Sequence, residues 1–425
     1  MFNFNTSTGN KKFTSNFARL DDEKTSPAIL KVVGVGGAGC NAIESMIQRG
    51  IQGVEFVAIN TDVQVLSKSN AHHKIKIGAN ITRGLGAGSD PTIGKRAAEE
   101  SKDEIKEFLN GSDMVFITCG EGGGTGTGAS PIVASIAKSL GALVVGIVTT
   151  PFSWEGKKRM ANAEVGISEL RQFVDSLIVI PNERILSIIE PKTPFKVALD
   201  KANEILYEAT RGISDIINVP GLINVDFNDV RAVMVNSGEA IMGCGIASGE
   251  NRAIEAAQKA ISSPLLNGIS IKGSKSVLLN ITGPNSMTMQ EIDEANKVIA
   301  EAAGAEASLI FGVVYKDDMD EHISYTVIAT GFSNKNNVSN NSSSNYNSRR
   351  KDSQNSNHFK SNITDKQDLN KPTILRTGSD MLDEFFSNST SFNESNKESN
   401  NDNQNGKLRR NDDDDISDFL RIVMD

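Results

Sequence analysis

Two glycine-rich stretches are the places in this sequence where chemistry could be done. Gly34-Val35-Gly36-Gly37-Ala38-Gly39 follows an apolar, β-rich run and opens a helical pattern. Glycine lets a backbone approach a phosphate closely, and a helix N-terminus offers unpaired N–H groups and a favourable dipole. Read alone, this stretch also fits a dinucleotide fingerprint or a plain tight turn. The second stretch, Gly122-Gly123-Gly124-Thr125-Gly126-Thr127-Gly128, again lies between a strand-like run and a helical one, with Pro131 expected in the first helical turn. Five glycines in seven residues are more than a structural turn needs, each costing roughly 0.5–1 kcal/mol against alanine in regular structure. Two threonine hydroxyls among open amides suit a polyphosphate or its magnesium ion. A Walker-type site is excluded, because G-x-x-x-x-G-K-[ST] does not occur.

A second chemical feature is Asn224-Val225-Asp226-Phe227-Asn228-Asp229. On spacing alone it reads equally well as a solvated loop in which Asp229 caps a helix. The three cysteines, Cys40, Cys119 and Cys244, lack CxxC spacing, and His72, His73, His322 and His358 form no ligand pattern. Neither a disulfide framework nor a zinc site is expected, and the cysteines read as small buried hydrophobes.

The elements that must position these residues alternate. Strands are expected at Ile29–Val35, Val54–Ile59, Met114–Thr118, Leu143–Val148 and Leu177–Ile180, with helical patterns between them. Asp90-Pro91 opens one helix as N-cap and first residue, and Ile93, Ala97, Ile105, Phe108 and Leu109 continue its spacing. This alternation predicts a parallel sheet covered on both faces. Phe195–Asn218 reads as one long amphipathic helix, with Leu199, Ala202, Ile205, Leu206, Ala209, Ile213, Ile216 and Ile217 on its stripe. A second α/β unit follows, with strands at Ala232–Val235, Val277–Ile281, Leu309–Val314 and Ser324–Ala329 and helices at Ala253–Ile261 and Gln290–Ala303.

GGGTGTG resembles the signature loop of tubulin and FtsZ. The chain is also similar to the FtsZ family at KVVGVGGAGCNA (31–42), AINTD (58–62), RGLGAGSDPTIG (83–94), WEGKKRM (154–160), NVDFNDVRAVM (224–234) and GIASGENRA (245–253). The resemblance covers roughly residues 29–331 and implies a tubulin-like fold. Its expected parts are a disordered arm (1–28), a Rossmann-like GTPase domain (29–194) and a central helix with the start of the catalytic loop (195–223). A smaller C-terminal α/β domain (224–332) follows. By the same resemblance, Gly36, Gly37, Gly39, Cys40 and Asn41 line the phosphate and base side of the first loop, with Asn60 and Asp62 near the phosphates or their metal. Gly122 to Thr127 form the second phosphate loop, with Gly124, Thr125 and Gly126 cradling the β- and γ-phosphates. Glu155 binds ribose, Arg159 approaches the phosphates, and Asn182 and Asn203 contact guanine. Leu199 stands where many relatives carry an aromatic ring to stack on the base. Asp226 and Asp229, with Asn224, reach the GTP of the next subunit and position the attacking water. The implied function is a GTP- and Mg2+-dependent cytoskeletal GTPase that polymerises head to tail with itself to form the division ring at midcell of a bacterium. The competing reading is a Rossmann-type dinucleotide oxidoreductase with Glu55 as its ribose-binding acid.

Composition bounds the remainder. A length of 425 residues suggests two or three domains. The net charge of −9 argues against nucleic acid as a partner. No run approaches the roughly 20 apolar residues of a membrane span, and the first residues lack a signal-peptide core; a cytoplasmic protein without direct membrane insertion is expected. Residues 333–411 hold 19 Asn and 15 Ser, a composition that buries too little surface to offset its conformational entropy. They read as a disordered linker. Residues 412–425 close the chain with four aspartates followed by Ile416, Phe419, Leu420, Ile422 and Val423. They are similar to the family's C-terminal peptide, although Ser417-Asp418 replaces its usual proline. That similarity implies docking of Asp415–Val423 to a membrane-tethering adaptor such as FtsA or ZipA.

Overall fold

The computed structural model describes residues 28–332, except 220, 224, 267 and 268. The arm, the linker, the terminal peptide and Asn224 therefore lie outside the described residues. Ten strands form one sheet in the order β3-β2-β1-β4-β5-β6-β7-β10-β8-β9. The strands are β1 (Leu30–Val35), β2 (Val54–Asn60), β3 (His73–Lys76), β4 (Met114–Gly120), β5 (Leu143–Thr150), β6 (Ser176–Pro181), β7 (Gly238–Ala247), β8 (Ser276–Gly283), β9 (Ser308–Tyr315) and β10 (Ile323–Thr330). The first six pair in parallel, as expected for short runs apolar on both faces. β1 is buried along its whole length, and Val32 and Val33 enter separate cores on opposite sides of the sheet.

Helices α1 (Gly36–Gln48), α2 (Val63–Lys68), α3 (Ala79–Thr82), α4 (Pro91–Glu100), α5 (Lys102–Leu109), α6 (Thr125–Ser139) and α7 (Lys157–Leu170) belong to this half. Asp90 caps α4, its Oδ1 accepting the Thr92 N–H at 2.9 Å. The single helix expected from residue 91 to 109 is two, broken at Ser101. The break lets Ser101 Oγ accept the Gly78 N–H at 3.2 Å, and a turn at that point re-aims Ile105 and Leu109 into the core. The helix α6 begins at Thr125, so Pro131 sits in its second turn rather than the first.

The long helix α8 (Phe195–Asn218) matches its expected bounds. Asp215, near its end, is buried and holds Arg211 Nε at 3.0 Å and Lys316 Nζ at 3.1 Å, tying α8 to the second half. Beyond it come α9 (Phe227–Met234), α10 (Arg252–Ile261) and α11 (Met289–Ala303). One expectation fails here. Residues 232–235 are not a strand: 232–234 close α9, which starts from an Asp226 N-cap. A short apolar run does not distinguish strand from helix, and the cap decides. The strand in this region is β7, concealed by its glycines. A Cβ at Gly243 would lie 2.0 Å from the Ala260 carbonyl, and one at Gly245 2.1 Å from that of Ala256. These glycines let α10 rest directly on the strand backbone.

β7 joins β6 in parallel over only three residue pairs, Ser176–Gly238, Leu177–Glu239 and Ile178–Ala240. On the other flank β10 runs antiparallel to β7 and β8, while β8 and β9 are parallel.

Helices α4 and α6 also touch backbone to backbone. A Cβ at Gly128 would stand 2.0 Å from the Pro91 carbonyl, and one at Gly94 2.3 Å from that of Gly124. Replacing Gly128 with alanine must push the helices apart, at a cost of about 1–3 kcal/mol. Gly128→Ala is therefore expected to lower the thermal unfolding midpoint, followed by circular dichroism; an unchanged midpoint would mean that the α4–α6 contact is slack.

Candidate nucleotide site

The carboxyl ends of β1 and β4 lead straight into the first turns of α1 and α6, and these two turns meet. Gly36 has φ +74°, and a Cβ on it would lie 2.7 Å from the Gly126 amide nitrogen. A Cβ at Gly126 would meet the Gly120 carbonyl at the same distance. Two helix N-termini are thus pressed side by side, with their free amides at one edge of the sheet. The arrangement concentrates positive partial charge and suits an anion. Gly34 lies within β1 and Gly39 within α1; Gly39 faces β4, where a Cβ would come 2.5 Å from the Thr118 carbonyl.

The two threonines are already engaged. Thr125 Oγ1 and Thr61 Oγ1 lie 2.7 Å apart, both fully buried, which links the end of β2 to the start of α6. Thr127 Oγ1 accepts the Gly122 N–H at 2.7 Å. The sequence suggested these hydroxyls for phosphate or magnesium; here they hydrogen-bond within the chain and shape the loop. Asp62 caps α2, accepting the Gln64 N–H at 2.7 Å. Asn60 is fully buried, and its Nδ2 has no protein partner.

A cleft opens beside this junction. Its inner part is lined by Gly37, Gly123, Gly126, Glu155, Arg159 and Asn182, together with Glu121, Trp154 and Leu199. Asn182 and Leu199 also line a continuing cavity of about 500 Å³, which contains Asn41 and Asn203 and ends at Glu44 and Arg49. The Asn182 Oδ1 atom is buried without a partner, an acceptor suited to an amino or imino group of a base. Glu155 is already paired on both oxygens, accepting the Phe152 N–H at 2.7 Å and lying 3.2 Å from Arg159 Nε. Among the other expected residues, Gly36, Gly39, Cys40, Asn60, Asp62, Gly122, Gly124, Thr125 and Thr127 line neither part of the cleft. Cys40 is packed beneath β1, and burial pushes its thiol up to about 12. It serves as packing.

Leu199, an aliphatic residue, lines the cleft. The aromatic surface comes from Trp154 instead, stacked on Phe152 at 5.3 Å and tilted against Phe195 at 6.0 Å. Two further lining residues carry a sequence signal only in their setting: Trp154 opens WEGKKRM, and Glu121 immediately precedes the triple glycine.

The carboxylate pair is elsewhere. Asp226 and Asp229 line a separate hollow with Ile216 to Val219. Asp226, not Asp229, is the cap, its Oδ1 accepting the Asp229 N–H at 2.9 Å. Leu199 lines the cleft near the start of α8, and Asn218 ends that helix beside the hollow. At 1.5 Å per residue the two places are about 28 Å apart along the helix. The chain does not bring its carboxylates to its own cleft. Glu55 is no ribose ligand either; it pairs with Lys31 at 3.3 Å, four register positions back from the glycine end of β1.

A doubly wound sheet with two abutting glycine-rich helix starts, a base-sized cavity and a long helix leading to a second α/β half defines a tubulin-like nucleotide-binding protein. Residues 29–190 match the model of the Tubulin/FtsZ family GTPase domain, and residues 238–333 that of the FtsZ family C-terminal domain. Among solved structures, the empty FtsZ dimer of M. jannaschii is similar at 45% identity and a TM-score of 0.69, covering 72% of this chain and 89% of that one. The GDP-bound monomer of CetZ1 from Haloferax volcanii has 23% identity and a TM-score of 0.64, with 72% and 95% covered, and shows the shared fold. This chain belongs to the FtsZ family and is a GTPase.

Gly36→Ala tests the junction. The substitution strains a left-handed residue and drives a methyl into the Gly126 amide, so guanine nucleotide affinity should fall at least about tenfold, equivalent to 1.4 kcal/mol. Titration with a fluorescent GTP analogue reads the loss, and unchanged affinity would show that the two turns do not hold the phosphates.

Proposed function

We propose that this chain assembles head to tail into GTP-bound filaments that build the division ring at midcell, and that each GTP is hydrolysed at the junction between two subunits. The observation that carries the reading is the distance of about 28 Å, at 1.5 Å per helical residue, between the nucleotide cleft and the Asp226/Asp229 hollow. One chain supplies half a site at each end. A heterologous contact that joins unlike ends repeats indefinitely and gives an open filament. The similarity to the M. jannaschii FtsZ dimer supports self-association.

In this reading the Gly36–Gly37 and Gly123–Gly126 amides receive the phosphates, Asn60 and Asp62 lie beside them or their Mg2+, and Arg159 approaches from α7. Mg2+ supplies charge neutralisation for the polyphosphate. The buried Asn60 Nδ2 and Asn182 Oδ1, each without a partner in the chain, fit a polar ligand. Asn182 and Asn203 read the guanine edge, and Trp154 and Leu199 pack beside the ligand. Glu155 reaches ribose by exchanging one of its present partners. Asp226 and Asp229 of the following subunit, with Asn224, orient the attacking water. Phosphoryl transfer depends mostly on positioning and charge stabilisation, so carboxylates brought in by assembly are enough to switch it on. The terminal peptide Asp415–Val423 would tether the filament to a membrane adaptor of the FtsA or ZipA kind, in a cytoplasmic setting. No helix among the described residues is long and apolar enough to cross a membrane.

Phosphate release per subunit should rise steeply above a threshold protein concentration, and activity independent of concentration would remove the shared site. Asp229→Ala should bind GTP and still polymerise, while its hydrolysis rate falls on the order of a hundredfold, as when one group stabilising a transition state is removed. Loss of GTP binding in that variant would place Asp229 in its own subunit's cleft and refute the model.

A further inference from the structure

Behind the phosphate loop lies a carboxyl group that the reaction as described does not use. Glu121 is 2% exposed, held at the end of β4 by its N–H, which donates to the Thr149 carbonyl at 2.9 Å. Its Oε1 accepts from Cys119 Sγ at 3.4 Å, and Thr127 also hydrogen-bonds the carboxyl. The fold makes room for it. A Cβ at position 166 of α7 would sit 2.4 Å from Oε2 and 2.3 Å from the Thr127 methyl, so only glycine fits there. Glycine inside a helix costs about 1 kcal/mol relative to alanine. The recess therefore houses the carboxyl against Thr127, the residue whose hydroxyl fixes Gly122.

We propose that Glu121 is a positioning residue for the polyphosphate: uncharged, its carboxyl braces Thr127 and the Gly122–Gly124 turn, and ionised, it sets a negative charge behind the same amides and loosens their hold on the nucleotide. This inference rests on the nucleotide-site reading above. The ionisable surroundings can be named element by element. On β4, the Cys119 thiol is pushed well above its usual value by burial, so it remains a neutral donor. On α7, Glu169 opposes ionisation of Glu121, although Lys95 of α4 lies 3.4 Å from Glu169. On the cleft side, Glu155 and Arg159 form their own pair. The buried first turns of α6 carry no ionisable side chain. Burial raises Glu121 to about 7, partly offset by hydrogen bonding from Cys119 and Thr127.

The sign follows from linkage. A carboxyl whose folded value is raised favours the protein at low pH and loses that contribution as pH rises through about 7. A polyphosphate placed nearby opposes ionisation further, so binding draws a proton onto Glu121 and affinity falls as pH increases.

GDP binding is the test, since no hydrolysis intervenes. Calorimetry in two buffers of different ionisation enthalpy counts the protons taken up. Wild-type protein should take up protons near neutral pH and lose roughly five- to tenfold in affinity between about pH 6.5 and 8.5. Glu121→Gln should remove most of that uptake and flatten the profile, and Glu121→Met should do the same if a neutral filler is enough. The variants are compared with wild type, so titration of GDP itself cancels. Wild-type binding without proton uptake, or the same uptake and slope in both variants, overturns the role of Glu121 while leaving the nucleotide site intact. Failure of GDP to bind wild type at any pH overturns both readings.

Discussion

The first turns of α1 and α6 touch, and much of the structure exists to permit that contact. Two helix N-termini carry like partial charges, so pressing them together is unfavourable unless an anion shares their amides. The geometry tolerates no side chains at the meeting point, which explains Gly36 and Gly126 better than general loop flexibility does. The buried Thr61–Thr125 pair then fixes the height of α6 relative to the end of β2. The Gly122–Thr127 bond closes the turn between β4 and α6.

The second determinant is the length of α8. Its 24 residues span about 36 Å at 1.5 Å each. The helix begins beside the cavity that holds Asn41 and Asn203 and ends beside Asp226. Tyr207, midway along it, receives Arg49 and Arg211 over its ring at 5.4 and 5.6 Å, and Asp215 ties it to Lys316. A shorter or kinked helix would change the distance between the cleft and the Asp226/Asp229 hollow. A rigid one makes that distance a constant of the molecule.

Much of this was legible in the residues, and the failures have physical causes. The parallel half, α8 and the capped start of α4 follow from periodicity and from Asp90-Pro91. Alternation could not reveal β7, because Gly243 and Gly245 were chosen for contact with α10 rather than for strand propensity. The run through residues 232–235 misled for the opposite reason: its apolar residues suit a strand, yet an N-cap six residues earlier starts a helix. At the site, motifs located the cleft but not the duties within it. Sequence suggested the threonine hydroxyls for a polyphosphate or its metal and Glu155 for ribose; in the chain by itself both threonines and that carboxylate have partners within the protein. Nothing in one-dimensional spacing reveals that Gly166, 45 positions away, hollows out the recess for Glu121.

The seam between β6 and β7 has a mechanical meaning. β4 with β5 and β7 with β10 share seven and eight residue pairs, and even the edge strand β3 shares four with β2; here there are three. Backbone pairs resist shear in parallel, so stiffness across the sheet drops at this line. The molecule resembles two plates joined by a short weld and braced by a strut, the strut being α8 with its Asp215–Lys316 rivet. Tension or bending applied at the two ends is borne by the strut first. What yields is the weld, and each plate keeps its own shape.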